Sequence, residues 1–290
     1  MFYSLNISHD GFNKFMIHMS KFFQFEQINK LVFRLGLATR GNTHLSKDDV
    51  LFALEQGLNY WNWCGHEDGM AQAVRTLGLR RNQIVLATQL SARDSKGIQY
   101  EVEQILDQLE TDYLDIATLY YVEQEKEWKE IMAPLGAFEG LRELQDKGKV
   151  KMIGLTTHQR HLAAQVLNEN HLDLLMTRYN AAHRGAEEII FPVAQRSKTP
   201  IVAFTALRWQ DLLKNTPEDP VNFSLPLVKE WYRFSLSHPA VSIVLSAPDN
   251  RNELLINLEL LADWRLPTVN EFKLLRGHGD RVYKNGRRFI

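Results

Sequence analysis

From residue 31 onward the chain alternates between two kinds of segment. Short apolar runs fall at Leu31–Ala38, Leu58–Trp63, Gln83–Leu90, Tyr113–Tyr121, Val150–Thr156, Leu172–Tyr179, Pro200–Thr205 and Val241–Ser246. Each is followed by a stretch with helical spacing of its apolar residues: 47–56, 69–78, 97–109, 137–147, 160–169, 186–196, 225–237 and 251–262. A continuous apolar run is what a strand buried on both faces shows, and an intervening helix is the crossover that parallel strands require. Eight such units predict a closed (β/α)8 TIM barrel, a single-domain α/β fold, over an open sheet.

Local signals fit these boundaries. Ser46 precedes KDDVLFALEQ as an N-cap, Asp49 follows three residues later, and Gly57 marks the stop. Gly148 ends a helix before VKMIGLT, and Pro200 opens a strand at a position where a missing donor is tolerated. Leu207–Pro226, with Pro217 and Pro220, reads as a large irregular loop after the seventh strand. Residues 1–30, Phe- and Met-rich but broken by charges, read as an N-terminal extension, mobile or capping one end of the barrel with its phenyl rings. The barrel is assigned to 31–262, and the aperiodic, basic stretch 263–290 to a tail packed across it.

Composition narrows the function classes. The 290 residues are 44% hydrophobic and 24% charged, with a formal net charge of −1. That balance offers no broad basic face, so neither nucleic acid nor an anionic membrane is an expected partner. No apolar stretch approaches the length of a membrane span. Cys64 is the only cysteine, which excludes an internal disulfide framework and a multi-cysteine zinc site and fits a reducing, cytoplasmic compartment. No metal is expected, because no His-x-x-x-His pair or carboxylate cluster falls at the strand ends. The pattern leaves oligomeric state open.

In such barrels chemistry sits where the strands end. The residues there are polar and aromatic, and they suit a small-molecule substrate. Trp63, Tyr121 and Trp209 are the expected walls for a flat or apolar ligand. Asn62 and Gln89 are neutral amides at these ends, and His66, Glu67 and Tyr120 are titratable groups there, His66 and Glu67 being the better matched to acid–base work.

Six stretches carry a resemblance. GLNYWNW, QIVLATQ, TDYLDIATLYYV, GKVKMIGLTTH, MTRYNAAHRGAE and PIVAFTAL resemble, in order, the motifs of strands two to seven in the aldo-keto reductases. The likeness runs from about 33 to 262, and its order and spacing are more specific than any one motif. It implies a TIM barrel that binds NADP and moves a hydride to or from a small carbonyl compound. Thr156 and Thr157 stand where the family grips the carboxamide, and Met176 where it has a Gln. Phe204 stands where an aromatic stacks on the nicotinamide, with Arg251 and Asn257 toward the adenosine end. The departures are sharper. Where the family keeps its catalytic Asp, Lys and His, this chain has Asn62, Gln89 and Tyr120, and CGHEDGM lacks the catalytic Tyr. Neutral amides cannot lower a phenol's pKa as a paired Lys does, but they still hydrogen-bond a polar ligand. Three readings follow: an oxidoreductase with altered acid–base groups, a non-redox isomerase, lyase or cyclase working through His66, Glu67 and Tyr120, and a binding module without turnover.

Overall fold

Each apolar run becomes a strand. The computed structural model describes residues 20–39 and 44–286. Its barrel strands are β3 (Leu35–Ala38), β4 (Tyr60–Trp63), β5 (Val85–Leu90), β6 (Leu114–Leu119), β7 (Val150–Thr156), β8 (Leu174–Arg178), β9 (Ile201–Phe204) and β10 (Val241–Ser246). Neighbours in sequence are neighbours in the sheet, all parallel, and β10 closes onto β3. The anticipated (β/α)8 barrel is the fold.

Alternation along each strand divides the core in two. Inward residues, among them Tyr60, Val85, Ala87, Ile116, Met152, Met176 and Ile243, fill the barrel. Outward residues such as Leu37, Trp61, Leu86, Leu119, Ile153 and Leu175 pack under the helices. Those helices are α1 (Lys47–Glu55), α2 (Gly69–Thr76), α3 (Ser95–Leu109), α4 (Glu125–Met132), α5 (Ala137–Asp146), α6 (Arg160–Asn168), α7 (Ala186–Ile189), α8 (Phe191–Ser197), α9 (Val228–Leu236), α10 (Arg251–Ala262) and α11 (Val269–Asn285). Ser46 and Asp49 form the reciprocal capping box that their spacing predicts. The stretch expected as one helix over 186–196 is two, because Pro192 supplies no backbone donor to continue the first.

Three further elements differ from expectation. The first apolar run breaks at Arg34. Its first half, β2 (Lys30–Phe33), pairs antiparallel with β1 (Phe22–Phe25) as a hairpin at the barrel's N-terminal end. Arg34 turns the chain by donating from its buried guanidinium to the carbonyls of Ser242, Leu236 and Val241. The hairpin carries Phe25 into the barrel floor, its ring stacked 6.1 Å from Tyr60. Of the expected N-terminal extension, residues 1–19 lie outside the described residues. Helices α4 and α11 were not expected. The first is a short segment held by buried Trp128 and Ile131. The second lies in the segment read as an aperiodic tail; it is capped by a Thr268–Glu271 capping box and buries Leu275, His278 and Val282. Among the described residues no helix is long and apolar enough to cross a membrane.

Candidate functional site

A cavity of about 520 Å³ opens at the C-terminal ends of the strands, within the range of small-molecule sites. Strand parity decides who reaches it. On β4, Tyr60 and Asn62 face inward, so Trp61 and Trp63 face the helices. Trp63 is therefore fully buried outside the cavity, its indole donating to the His66 carbonyl at 2.8 Å. It does not form the substrate wall assigned to it from the sequence.

His66 and Glu67 also leave the site. Gly65 turns the chain at φ +85°, and Asp68 caps α2 by accepting from the Met70 and Ala71 N–H groups. This swings the intervening pair to the exterior. His66 is exposed, and Glu67 is bound by the Arg75 guanidinium, whose hydrogen bonds hold the carboxyl below its usual range. Neither supplies an acid or base to the cavity.

Gln89, Tyr120 and Tyr121 do line it, with Asn62 and Cys64. Tyr120 continues β6, its N–H donating to the Leu90 carbonyl at 2.9 Å, while its own carbonyl accepts from Arg93 at 2.6 Å. Tyr121 takes a left-handed φ of +45°. The turn lays the two phenol rings against one another, centroids 4.1 Å apart. Beyond them the aromatic run continues through His158, 4.6 Å from Tyr121, to Phe204, 5.6 Å from His158. Burial, then the adjacent Tyr120 phenol, raises the Tyr121 pKa, so that phenol stays protonated.

On the opposite wall stand Thr156, Met176, Phe204 and Asn257. Thr157, next along from Thr156, falls on the other face and spends its hydroxyl on the Gln159 N–H at 3.0 Å. Arg251 is likewise outside the cavity. Its guanidinium bonds Asp49 at 2.9 Å and lies 3.7 Å over the Phe52 ring, clamping α10 to α1. Glu253 lines the cavity instead, its carboxylate accepting from the Asp249 N–H at 2.8 Å.

The cavity floor is polar, neutral and partly unsatisfied. Thr39 Oγ1, Asn62 Oδ1 and Thr156 Oγ1 are buried and lack a hydrogen-bond partner. Buried polar atoms usually have one, so three around one cavity mark where a polar ligand would complete the set. Thr39 was missed from the sequence, although it is the first polar residue after its apolar run. The loop after β9 was also missed as a wall: Ala206, Leu207, Gln210 and Leu213 line the cavity together with Trp209. Three successive residues there, Arg208, Trp209 and Gln210, hold φ of 49°, 50° and 68°, a left-handed run that L-residues adopt only under constraint. Arg208 supplies one constraint, donating to the Val282 carbonyl of α11 at 2.7 Å.

The rim beyond Met176 is cationic. Arg178, at the end of β8, is half-buried and pairs in register with Phe204. Burial depresses the pKa of His158 and takes that of His183 down to about 4, and the charge of Arg178 adds to both shifts. Among the described residues no group of three or more His, Cys, Asp or Glu side chains is placed to hold a metal ion.

Comparison with known proteins gives a consistent result. The model of the "Aldo/keto reductase family" matches residues 47–227. The aldo-keto reductase YhdN of Bacillus subtilis is 27% identical over 180 residues, 56% of this chain and 52% of that protein. The methylglyoxal reductase DkgA of Escherichia coli is 26% identical over 190 residues, covering 57% and 65%. The chain thus spans about half the length of several curated relatives it matches. Among solved structures, the apo form of an aldo-keto reductase from Bacillus halodurans has a TM-score of 0.72 at 21% identity, over 90% of this chain and 96% of that one. An aldo-keto reductase from Klebsiella pneumoniae in complex with NADPH has a TM-score of 0.72 at 19% identity, over 93% and 98%. At these identities the structural likeness is one of fold.

Proposed function

Because the chain belongs to the aldo/keto reductase family, we propose that it is an NADP-dependent oxidoreductase of small carbonyl compounds that works with a neutral acid–base set, Tyr120 as proton donor and Asn62 and Gln89 as its hydrogen-bonding companions. The observation that carries the reading is the cavity itself, which brings these three residues to one wall and Thr156 and Phe204 to another.

The residues fit a nicotinamide. The unpartnered Thr156 hydroxyl suits a carboxamide, and Phe204 offers a partly exposed ring face for stacking. Asn257, 4% exposed at the cavity edge, suits the adenosine end. Arg251 is committed to Asp49 and would have to be released to meet a phosphate. When bound, the reduced cofactor supplies a hydride. The chain's own task is then to hold the substrate oxygen and give it a proton. Amide N–H groups of Asn62 and Gln89 donate to that oxygen as charge builds on it, and Tyr120 delivers the proton. One observation supports a second reading, a barrel that binds a ligand without turnover: among the described residues Glu253 is the one charged side chain lining the cavity, and it is bonded to the Asp249 N–H.

Fluorescence titration with NADPH, followed by its oxidation in the presence of methylglyoxal, tests both. Binding with turnover is expected, and Tyr120→Phe should slow turnover by about a hundredfold while leaving NADPH affinity unchanged. Affinity weaker than about 1 mM sinks the reductase reading; tight binding with no oxidation of any carbonyl compound favours the second.

A further inference from the structure

We infer that Arg178 anchors an oxyanion subsite at the cavity rim, and that the substrate is a small carbonyl compound bearing a carboxylate. Arg178 is two residues beyond Met176, so both face the barrel axis, and its register partner is Phe204. The buried guanidiniums have their partners: Arg34 three carbonyls, Arg81 the Asp115 carboxylate, Arg208 the Val282 carbonyl, Arg233 the Glu230 carboxylate. Arg178 makes no hydrogen bond or ion pair among the described residues. Glu123 is within electrostatic reach, but its oxygens accept from the backbone N–H of His158 at 2.8 Å and the Gln159 side-chain amide at 3.1 Å.

The surroundings repeat the message. His158 and His183 face the same region, and each holds a buried Nδ1 without a hydrogen-bond partner. Arg160 and Arg208 add positive charge. A half-buried cation among further cations, short of acceptors, is unfavourable until an anion arrives. The guanidinium fork matches a carboxylate in two parallel hydrogen bonds. Arg178 does not itself line the cavity, but it lies within electrostatic reach of Tyr121, which lines it beside Tyr120 and Gln89, so a carboxylate held on the guanidinium would orient the carbonyl toward them. The carboxylate follows from Arg178 and its neighbours; only the carbonyl rests on the reductase reading.

Calorimetric titration of the full chain with 4-carboxybenzaldehyde and with its methyl ester, with and without NADPH, separates these claims. The acid should bind more tightly than the ester by about ten- to a hundredfold, the scale of charge-assisted hydrogen bonds. Arg178→Met and Arg178→Gln should erase that preference and leave NADPH affinity within about twofold; Arg178→Lys, which keeps charge but not the fork, should retain part of it. Equal binding of acid and ester, no detectable binding of either, or a preference that survives Arg178→Met overturns the inference. So does a loss of NADPH affinity in Arg178→Met with the acid preference intact, which assigns the guanidinium to the dinucleotide's phosphates. If NADPH fails to bind while the acid preference stands, the reductase reading falls and the subsite remains.

Discussion

Thr156 shows how single residues divide between stability and function. Its hydroxyl is buried without a partner, which costs the folded chain about 1–3 kcal/mol when nothing is bound. Thr156→Val keeps the shape and removes the orphan. We expect a thermal midpoint a few degrees higher and NADPH affinity lowered; an unchanged affinity would separate Thr156 from the cofactor. At this scale legibility was uneven, and the reason is parity. Asn62, expected in the catalytic set, does line the cavity, but the same period of two excludes its neighbour Trp63 from that face. Thr156 and Thr157 divide in the same way. The outward turn of His66 and Glu67 was readable only by treating Gly65 and Asp68 as a turn and a cap. The loss of Arg251 to Asp49 was not readable at all, since that partner lies on α1, at the other end of the chain.

Helix α11 and the loop after β9 act as one element pair, and neither was legible as such. The helix carries Gly277 and Gly279 and two charged turns, which blur its period. Gly279 is required, because a Cβ there would come 2.3 Å from the Ala181 carbonyl oxygen. The Thr268–Glu271 spacing was the available signal, a capping box without an obvious apolar run behind it. The loop is tied to the helix through Asp219, which accepts from His278 at 3.0 Å and Arg281 at 2.6 Å. Burial alone would raise the Asp219 pKa, but the bonds from the Thr216 N–H, His278 and Arg281 outweigh it and hold the carboxyl down to about 2. Its pKa is thus lower folded than unfolded, where a carboxyl titrates near 3.9. The contribution to stability is complete above about pH 4 and is lost as pH falls toward about 2. Urea unfolding across that interval should show stability falling less steeply in Asp219→Asn than in the parent chain. Parallel pH curves for the two would show that the tie adds nothing.

Across the whole molecule the barrel separates upkeep from chemistry along its axis, and β6 spans both ends. At its C-terminal end the chain runs on into Tyr120, on the cavity wall. At its N-terminal end Asp115 is fully buried, bonded to Lys30 of the hairpin and to Arg81 at 2.8 Å each, and to the Leu86 N–H at 3.0 Å. The eight strand–helix units were legible because continuous apolar runs have few other uses. At the lower plug, phenyl rings capping one end of the barrel were one reading of residues 1–30, but the hairpin that carries Phe25 there was not legible, because Leu31–Phe33 is as apolar as a barrel strand and only Arg34 redirects it. Asp115→Asn removes the one charge that Lys30, Arg81 and, at 3.9 Å, Lys151 share, leaving three cations around a neutral amide. We expect a loss of about 3 kcal/mol, or roughly 6–10 °C in the thermal midpoint. NADPH affinity, measured well below that midpoint, should be unchanged, because residues at the bottom of such barrels hold the fold and those at the top do the work. An affinity that falls together with the midpoint would mean that the plug also sets the geometry of the cavity, and that the two ends of this barrel are not separable.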